Sequence, residues 1–385
     1  MVKLNIIGNI LDFSGYSRHT RFLANALNDL GHEVRLDFPK TPQWERYVTD
    51  AELNMAMREF TPDYITVCIS QPQFWRLALA DRPKKFFGFC VFEGDKIPDY
   101  WLEYLSDERV DGILVPSEHT KKAVCETLKN YANSRLHQFD ENWNKQQLKL
   151  LKKYIEKISI IPHGVDLSKY HPMELEELPD NFVFMANKGW SKGIKDRGGI
   201  QWLIKAFLEE FTNKDMVELR VKINATYNKP DWDISQEIIN LGIEKTENRP
   251  KLLITNDNMD DNLLCKFYNE GDVFVSCSMA DAFDIPPLEA MACGLPCLVT
   301  ANNGHCDFVT PINGWIIEEG EFVDNWSGEE EYKEIKWFKP DLEILKSKLR
   351  GVYESDIEEK SKYVLEMASK FQWSDSAKKL IEVIK

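Results

Sequence analysis

No apolar run in this 385-residue chain is long enough to span a bilayer, and the opening Met1-Val-Lys-Leu-Asn-Ile-Ile-Gly8 reads as a first strand and not as a signal peptide. A cytoplasmic protein, free or peripheral at a membrane surface, is expected. Positive charge is also short. The 48 Lys and Arg stand against 63 Asp and Glu, and a formal net charge of -15 argues against a general nucleic-acid binder. Metal-binding spacing is missing as well: the eight cysteines are scattered, mostly in apolar runs, with no Cys-x2-Cys. Buried free thiols are expected in place of metal ligands or disulfides. There is no internal repeat and no low-complexity tract. What is present is 43% hydrophobic and 12% aromatic residues, which excludes a disordered chain, in a length that suits two domains with a core each.

The chain alternates strand and helix. Residues 3–8 read as a strand, and the loop 9–19 leads into a helix with Phe22, Leu23, Ala26 and Leu27 on one face; Gly31 closes it before a strand at 33–38. This is a Rossmann-like opening, but the single Gly15 falls short of a dinucleotide fingerprint. Strands are expected at 64–70 and 85–92, and Ser117 caps a helix over 118–129. Residues 142–158 read as a basic amphipathic helix, with Leu148, Leu151, Ile155 and Ile158 on one side and Lys145, Lys149, Lys152, Lys153 and Lys157 elsewhere. Packing with its lysines in water is the main reading, and contact with a membrane surface is the other. The acidic, Pro-bearing stretch 170–180 reads as a linker between domains. Strands at 182–186, 217–223 and 252–255 then alternate with helices at 201–210, 234–241 and 260–270, and 318–334 reads as an acidic surface segment.

Two stretches of the second half carry chemistry. The loop 187–199 holds three glycines in its second half and four cations, Lys188, Lys192, Lys195 and Arg197, a fitting cradle for a diphosphate. Residues 273–300 read as strand, loop, short helix, strand, with Pro286 and Pro287 suited to the helix start and Gly294 to its left-handed end. In a parallel sheet such a loop lies at the carboxyl edge, where ligands bind and where a helix N-terminus favours an anion. Glu289, in the first helical turn, would repel a phosphate; its natural partners are hydroxyls such as those of a ribose, and the competing reading is that it only stabilises the helix.

The run from Asp281 to Gly294 resembles the acidic-x7-Glu signature of the family 4 glycosyltransferases, retaining enzymes of the GT-B fold, and the match is unbroken from Pro286 to Pro296. Further similar segments are 91–101 with its Glu93-Gly-Asp, 111–119, Pro162-His-Gly-Val-Asp166, the turn at 301–309, taken as structural, and Phe371-Gln-Trp-Ser with the last helix. The resemblance implies an α/β protein of the GT-B class, two Rossmann-like domains facing a central cleft. Residues 1–168 would be the acceptor domain, with the helix 371–385 packing back on it, and 169–370 the nucleotide-sugar donor domain.

It also implies roles. Asp281 would lie by the donor sugar near its anomeric carbon, and Glu289 would bind the ribose. The family's Lys role at the diphosphate falls on Arg197; its Arg role stays open among Lys188, Lys192 and Lys195, with Lys192 favoured. Asp284, Ile285 and Pro286 complete the donor side, with Gly15 for close backbone approach. Tyr16, Ser17, Arg18 and His19 are candidates for acceptor or phosphate contact, a solvated helix start being the competing reading. Glu93 is a candidate to bind acceptor hydroxyls or take a proton, against a structural salt bridge. Two departures stand out: Asp281 is one methylene shorter than the usual Glu, and Asp284 replaces the usual Gly.

The implied reaction is transfer of a hexose from a UDP- or GDP-linked sugar, with retention, to a hydroxyl of a glycan, glycolipid or small metabolite. A non-catalytic nucleotide-sugar binder and a GT-B sugar-nucleotide epimerase are the alternatives. No Asp-x-Asp motif occurs in a matching context, so neither a catalytic metal nor a tightly bound cofactor is expected, and fixed cations would stabilise the leaving diphosphate.

Overall fold

A computed structural model describes residues 1–12, 14–136, 149, 151–177, 179–224, 233–243, 248–326, 328 and 332–385. The chain divides into two compact units, Met1–Gly164 with Trp373–Lys385, and Val165–Gln372. The crossings therefore fall after Gly164 and Gln372, against the expected 168 and 370. Within the second unit they are tied to each other, since the Val165 N–H donates to the Phe371 carbonyl at 2.8 Å.

In the first unit, short apolar runs form β1 (Lys3–Ile7), β2 (Glu33–Asp37), β3 (Ile65–Ile69), β4 (Lys85–Phe89), β5 (Gly112–Val115) and β6 (Ile158–Ile160). They pair in the order β2-β1-β3-β4-β5-β6, every neighbour parallel. The fully buried β3, Ile-Thr-Val-Cys-Ile, has the continuous apolar character of a strand covered on both faces. β4 stops at Phe89, short of the expected 92, and the helix capped at Ser117 continues through Leu136. Of the expected basic helix, 142–148 and 150 lie outside the described residues, while 151–156 are helical. Among the described residues no helix is long and apolar enough to cross a membrane.

The last helix, Trp373–Ile384, belongs to this first unit. It packs on the helix Gly15–Asp29, the Ser376 hydroxyl donates to the Pro162 carbonyl at 2.6 Å, and Lys85 Nζ reaches the Ile384 carbonyl at 2.9 Å. Its first residue, Trp373, closes an aromatic box. The His19 ring lies 4.2 Å from His163, 4.3 Å from Phe89 and 5.9 Å from Trp373, measured between centroids.

The second unit is built on β7 (Phe182–Gly189), β8 (Val217–Asn224), β9 (Lys251–Thr255), β10 (Val273–Ser276), β11 (Cys297–Thr300) and β12 (Gly314–Ile317), in the order β12-β11-β10-β7-β8-β9, again parallel throughout. The expected acidic surface segment is exposed over 318–322, and within it β13 (Gly320–Asp324) pairs antiparallel with β14 (Lys336–Pro340). This hairpin is anchored from inside: Trp337 packs with Met279 and Ala280, and the Phe338 N–H donates to the Met279 carbonyl at 2.8 Å. All eight cysteines are free.

Gly199 fixes the approach of the helix Ile200–Glu210 to this sheet. Its φ is +76°, and a Cβ there would stand 1.7 Å from the Cys277 carbonyl oxygen. Gly199→Ala therefore meets both a left-handed backbone and a backbone clash, and should destabilise by about 3 kcal/mol. Gly189→Ala, whose Cβ would meet nothing within 4 Å, is the control for thermal melting. Equal melting temperatures for the two variants would refute the constraint.

The buried His19 generates a pH dependence. Burial first, and the neighbouring His163 second, hold its pKa well below the usual value, so the folded protein keeps it neutral. The unfolded chain takes up this proton near pH ~6.5. The stability His19 contributes is thus whole above that pH and lost as pH falls below it, by up to about 1.4 kcal/mol per pH unit. In urea titrations from neutral to acid pH, His19→Phe should lose stability more gently than the unsubstituted protein. Identical acid limbs would remove His19 as a source.

Candidate functional site

The second sheet changes direction between β7 and β10. β7 is followed outward by β8 and β9 on one side, while β10, β11 and β12 extend the other, so the two connections that leave β7 and β10 diverge at neighbouring carboxyl ends. A crevice at such a point is where open parallel sheets bind ligands. Both chemistry-bearing stretches of the sequence start there.

The first loop organises itself around an acid that local reading passed over. The Asp196 carboxylate accepts backbone N–H bonds from Ser191 at 2.8 Å, Lys192 at 3.1 Å and Gly198 at 2.8 Å. Three donors of the expected phosphate cradle are thus already used inside the loop. Trp190, fully buried, donates from Nε1 to the Gly193 carbonyl at 2.9 Å. The loop is stitched to its neighbour where the Met279 N–H meets the Arg197 carbonyl at 2.8 Å.

The second loop is held by the turn after β11. Asn303 accepts the Asp281 N–H at 2.6 Å and donates to the Ser278 carbonyl at 2.8 Å, and the Gly304 N–H donates to the Asp281 carbonyl at 3.0 Å. Asp284 caps the helix Ile285–Ala292 with φ +67°. The glycine usual in the resembled motif fits this left-handed conformation, and Asp is among the few other residues that tolerate it. Its N–H donates to Asp281 Oδ1 at 3.1 Å.

Between the loops lies a compact charge cluster. Lys188 Nζ, at the end of β7, donates to Asp281 Oδ2 at 2.8 Å and Asp284 Oδ1 at 2.5 Å. Arg197 Nη1 donates to the Ala280 carbonyl at 2.8 Å and stands 3.5 Å from Asp281 Oδ2. Asp284 Oδ2 accepts the Ser276 hydroxyl at 2.6 Å and meets His305 Nδ1 at 2.9 Å. Burial alone would raise Asp281, but Lys188 and Arg197 outweigh it and hold the carboxyl well below the usual range. Burial likewise opposes the charge on Lys188, and the two aspartates overcome it and raise its pKa. Both groups are ionised at neutral pH.

The structure brings Lys188, Arg197, Asp281 and Asp284 together. It does so with Lys188, where the spacing favoured Lys192; the Lys192 side chain stands exposed on the loop, as does Lys195. Asp284 is present, but its carboxylate is wholly buried and turned to Lys188, Ser276 and His305, so it offers a ligand only its backbone. Ile285 and Pro286 open the short helix, and because Pro286 and Pro287 lack an N–H, Ile285 and Leu288 supply the donors among its first four residues. Glu289 is 1% exposed and accepts from the Tyr268 hydroxyl at 3.0 Å, which itself accepts from Asn187 Nδ2 at 2.8 Å.

In the first unit, Asp12 sets the loop after β1: it accepts from the Ser14 N–H at 2.8 Å and the Ser17 hydroxyl at 2.6 Å. Gly15 is exposed with open space where a Cβ would stand. The Tyr16 hydroxyl donates to the Val91 carbonyl at 2.8 Å, which joins this loop to the one carrying the half-buried Glu93. Glu93 adds to burial in pushing the Cys90 thiol up. Arg18 covers the Phe22 ring at 5.5 Å. His19, proposed from the sequence at the acceptor, is instead 1% exposed inside the aromatic box.

Sequence reading missed Asp196, Ser276, Asn303 and His305. Asp196, midway in a Gly-rich loop, carried a local signal as an acceptor for its own turn. The other three act across strands, and nothing in their local pattern marks them.

Residues 189–328 match the family described as Glycosyl transferases group 1. Over 234 residues the chain is 26% identical to a probable sucrose-phosphate synthase of Thermosipho melanesiensis, covering 60% of this chain and 47% of that protein; the chain thus spans about half the length of this curated relative. Among solved structures, Anabaena HepE in complex with UDP and glucose matches with a TM-score of 0.65 at 14% identity, over 100% of this chain and 99% of that one. The sucrose-phosphate synthase of Thermosynechococcus elongatus matches at 0.64 and 15%, over 100% and 98%. A glycosyltransferase of Rickettsia africae gives 0.65 and 15%, over 100% and 99%. With two parallel Rossmann-like sheets and a segment, 189–328, that matches the glycosyl transferases group 1 family, the chain has the fold of these solved proteins.

Proposed function

We propose that this protein transfers a hexose from a UDP- or GDP-linked sugar, with retention, to a hydroxyl of a glycan, glycolipid or small metabolite. The observation that carries the reading is the cluster at the β7–β10 crevice, where Lys188 and Arg197 flank Asp281 beside the start of the helix Ile285–Ala292. Anabaena HepE was solved with UDP and glucose, which supports UDP-glucose as the first donor to test.

The roles follow from charge and exposure. Arg197, whose side chain is 39% exposed, meets the diphosphate together with Lys188 and the helix start, and their fixed positive charge stabilises the leaving group with no tightly bound cofactor required. Glu289 binds the ribose. Asp281, ionised and 20% exposed, faces the positive charge that develops at the anomeric carbon as its bond to the diphosphate breaks and the acceptor oxygen bonds to it. In the first unit, Gly15, Tyr16, Arg18 and Glu93 are the acceptor-side groups, and Glu93 receives acceptor hydroxyls or their proton.

Asp281→Asn should lower turnover by about 10²-fold or more. Nucleotide affinity should hold or rise, because the substitution releases Lys188 and Arg197 from an anion. Single-turnover assays with UDP-glucose and GDP-linked hexoses, run beside calorimetry with the free nucleotides, read both quantities; undiminished turnover would defeat the catalytic role. Glu289→Gln should weaken UDP binding by roughly 1.5–3 kcal/mol, the size of a charged hydrogen bond. Unchanged calorimetry would remove Glu289 from the ribose site.

A further inference from the structure

The cluster contains a cation that the transfer reaction does not use directly. His305 is 0% exposed on the turn after β11, and both of its ring nitrogens meet acceptors: Nδ1 lies 2.9 Å from Asp284 Oδ2 and Nε2 lies 2.6 Å from the Thr300 carbonyl oxygen. A carbonyl oxygen can only accept, so Nε2 donates. Asp284 is an acceptor as well, because it also receives the Lys188 ammonium and the Ser276 hydroxyl. A ring that donates from both nitrogens is an imidazolium.

We propose that Asp284 and His305 form a buried carboxylate–imidazolium pair that positions Lys188 and sets the net charge of the diphosphate site. The pair are positioning residues, and the proposal rests on the donor reading above. Asp284 contacts both buried cations of the cluster; it holds Lys188 at the end of β7 and leaves the more exposed Arg197 to meet the ligand first. Three cations, Lys188, Arg197 and His305, stand against two carboxylates, so the five linked groups carry one positive charge in excess. With a neutral His305 the excess vanishes and an anionic ligand loses its attraction.

Other groups facing the pair act in the same sense or weakly. Burial opposes the charge on His305, but hydrogen bonds to Asp284 and Cys306 overcome it and push its pKa up to about 10. The Cys306 thiol is pulled down by the ring against the upward push of burial, Asp281 senses the ring as a positive charge, and Asp284 helps to push the buried Cys297 thiol up.

The test separates charge from packing. In the intact protein, imidazole nitrogen NMR should find His305 doubly protonated and unchanged between about pH 6 and 8, where an unperturbed histidine loses its proton. Asp284→Asn keeps a side chain that tolerates the left-handed turn but removes the anion, and His305 should then be neutral at about pH 8. His305→Gln should weaken UDP binding about tenfold, and the double variant His305→Gln with Asp284→Asn, which restores the net charge, should return it to within about threefold of the unsubstituted protein. A ring that titrates normally in the unsubstituted protein overturns the proposal. So does an unchanged UDP affinity in His305→Gln, or a double variant as weak as the single one. If the unsubstituted protein binds neither UDP nor GDP, the donor reading fails instead, and the ring titrations alone decide for or against the pair.

Discussion

A buried ammonium needs anions, and the architecture of the second unit is organised around giving Lys188 two. With an 8% exposed side chain at the end of β7, Lys188 would carry a desolvation cost of several kcal/mol if left alone. Asp281 and Asp284 offset that cost only while the loop after β10 stays against β7, and each feature nearby serves that approach. Gly199 lets the two loops touch, Asn303 and Gly304 grip the main chain of Asp281, and Asp284 accepts a left-handed backbone to bring its carboxylate inward. The same constraint explains why the site is ionised at rest: breaking either pair would strand a charge in a low-dielectric environment.

The scaffold turns a simple pattern into a binding edge. Parallel strands require long crossovers, so each sheet releases its loops at one edge, and the change of direction between β7 and β10 keeps two of those loops from running the same way. The hairpin β13–β14 supports the second loop from behind, through Met279 and Ala280, immediately before the first of the clustered acids. In the first unit the chain's own end does comparable work. Trp373 completes the box around His19 and His163, so the helix that begins after the loop of β1 is braced by residues supplied from the far end of the sequence.

Much of the scaffold was legible beforehand, because local sequence encodes local geometry. Apolar runs of strand length, the Pro286-Pro287 start, the Gly294 end and the unbroken run to Pro296 pointed to a strand, loop and helix that the structure contains. Boundaries drifted where tertiary contacts decide them: β4 ends at Phe89, and the helix from Glu118 runs on to Leu136. The acidic stretch stays exposed over 318–322, yet part of it, β13, joins a hairpin whose other strand, β14, sets Trp337 into a core supplied by another segment.

The sequence by itself determined the fold class, the two stretches that carry charge and the identity of Asp281, Arg197 and Glu289 as residues to examine. Only the tertiary structure decided which lysine meets the acids, for Lys188 and Asp281 are 93 residues apart and are joined by the pairing of β7 with β10. It also turned Asp284 inward, enclosed His19 and recruited His305 from a turn 21 residues beyond Asp284. The physical reason is common to all four: periodicity and turn chemistry report the backbone's local preferences, whereas the cost of burying a charge is set by neighbours that only the folded sheet brings within reach.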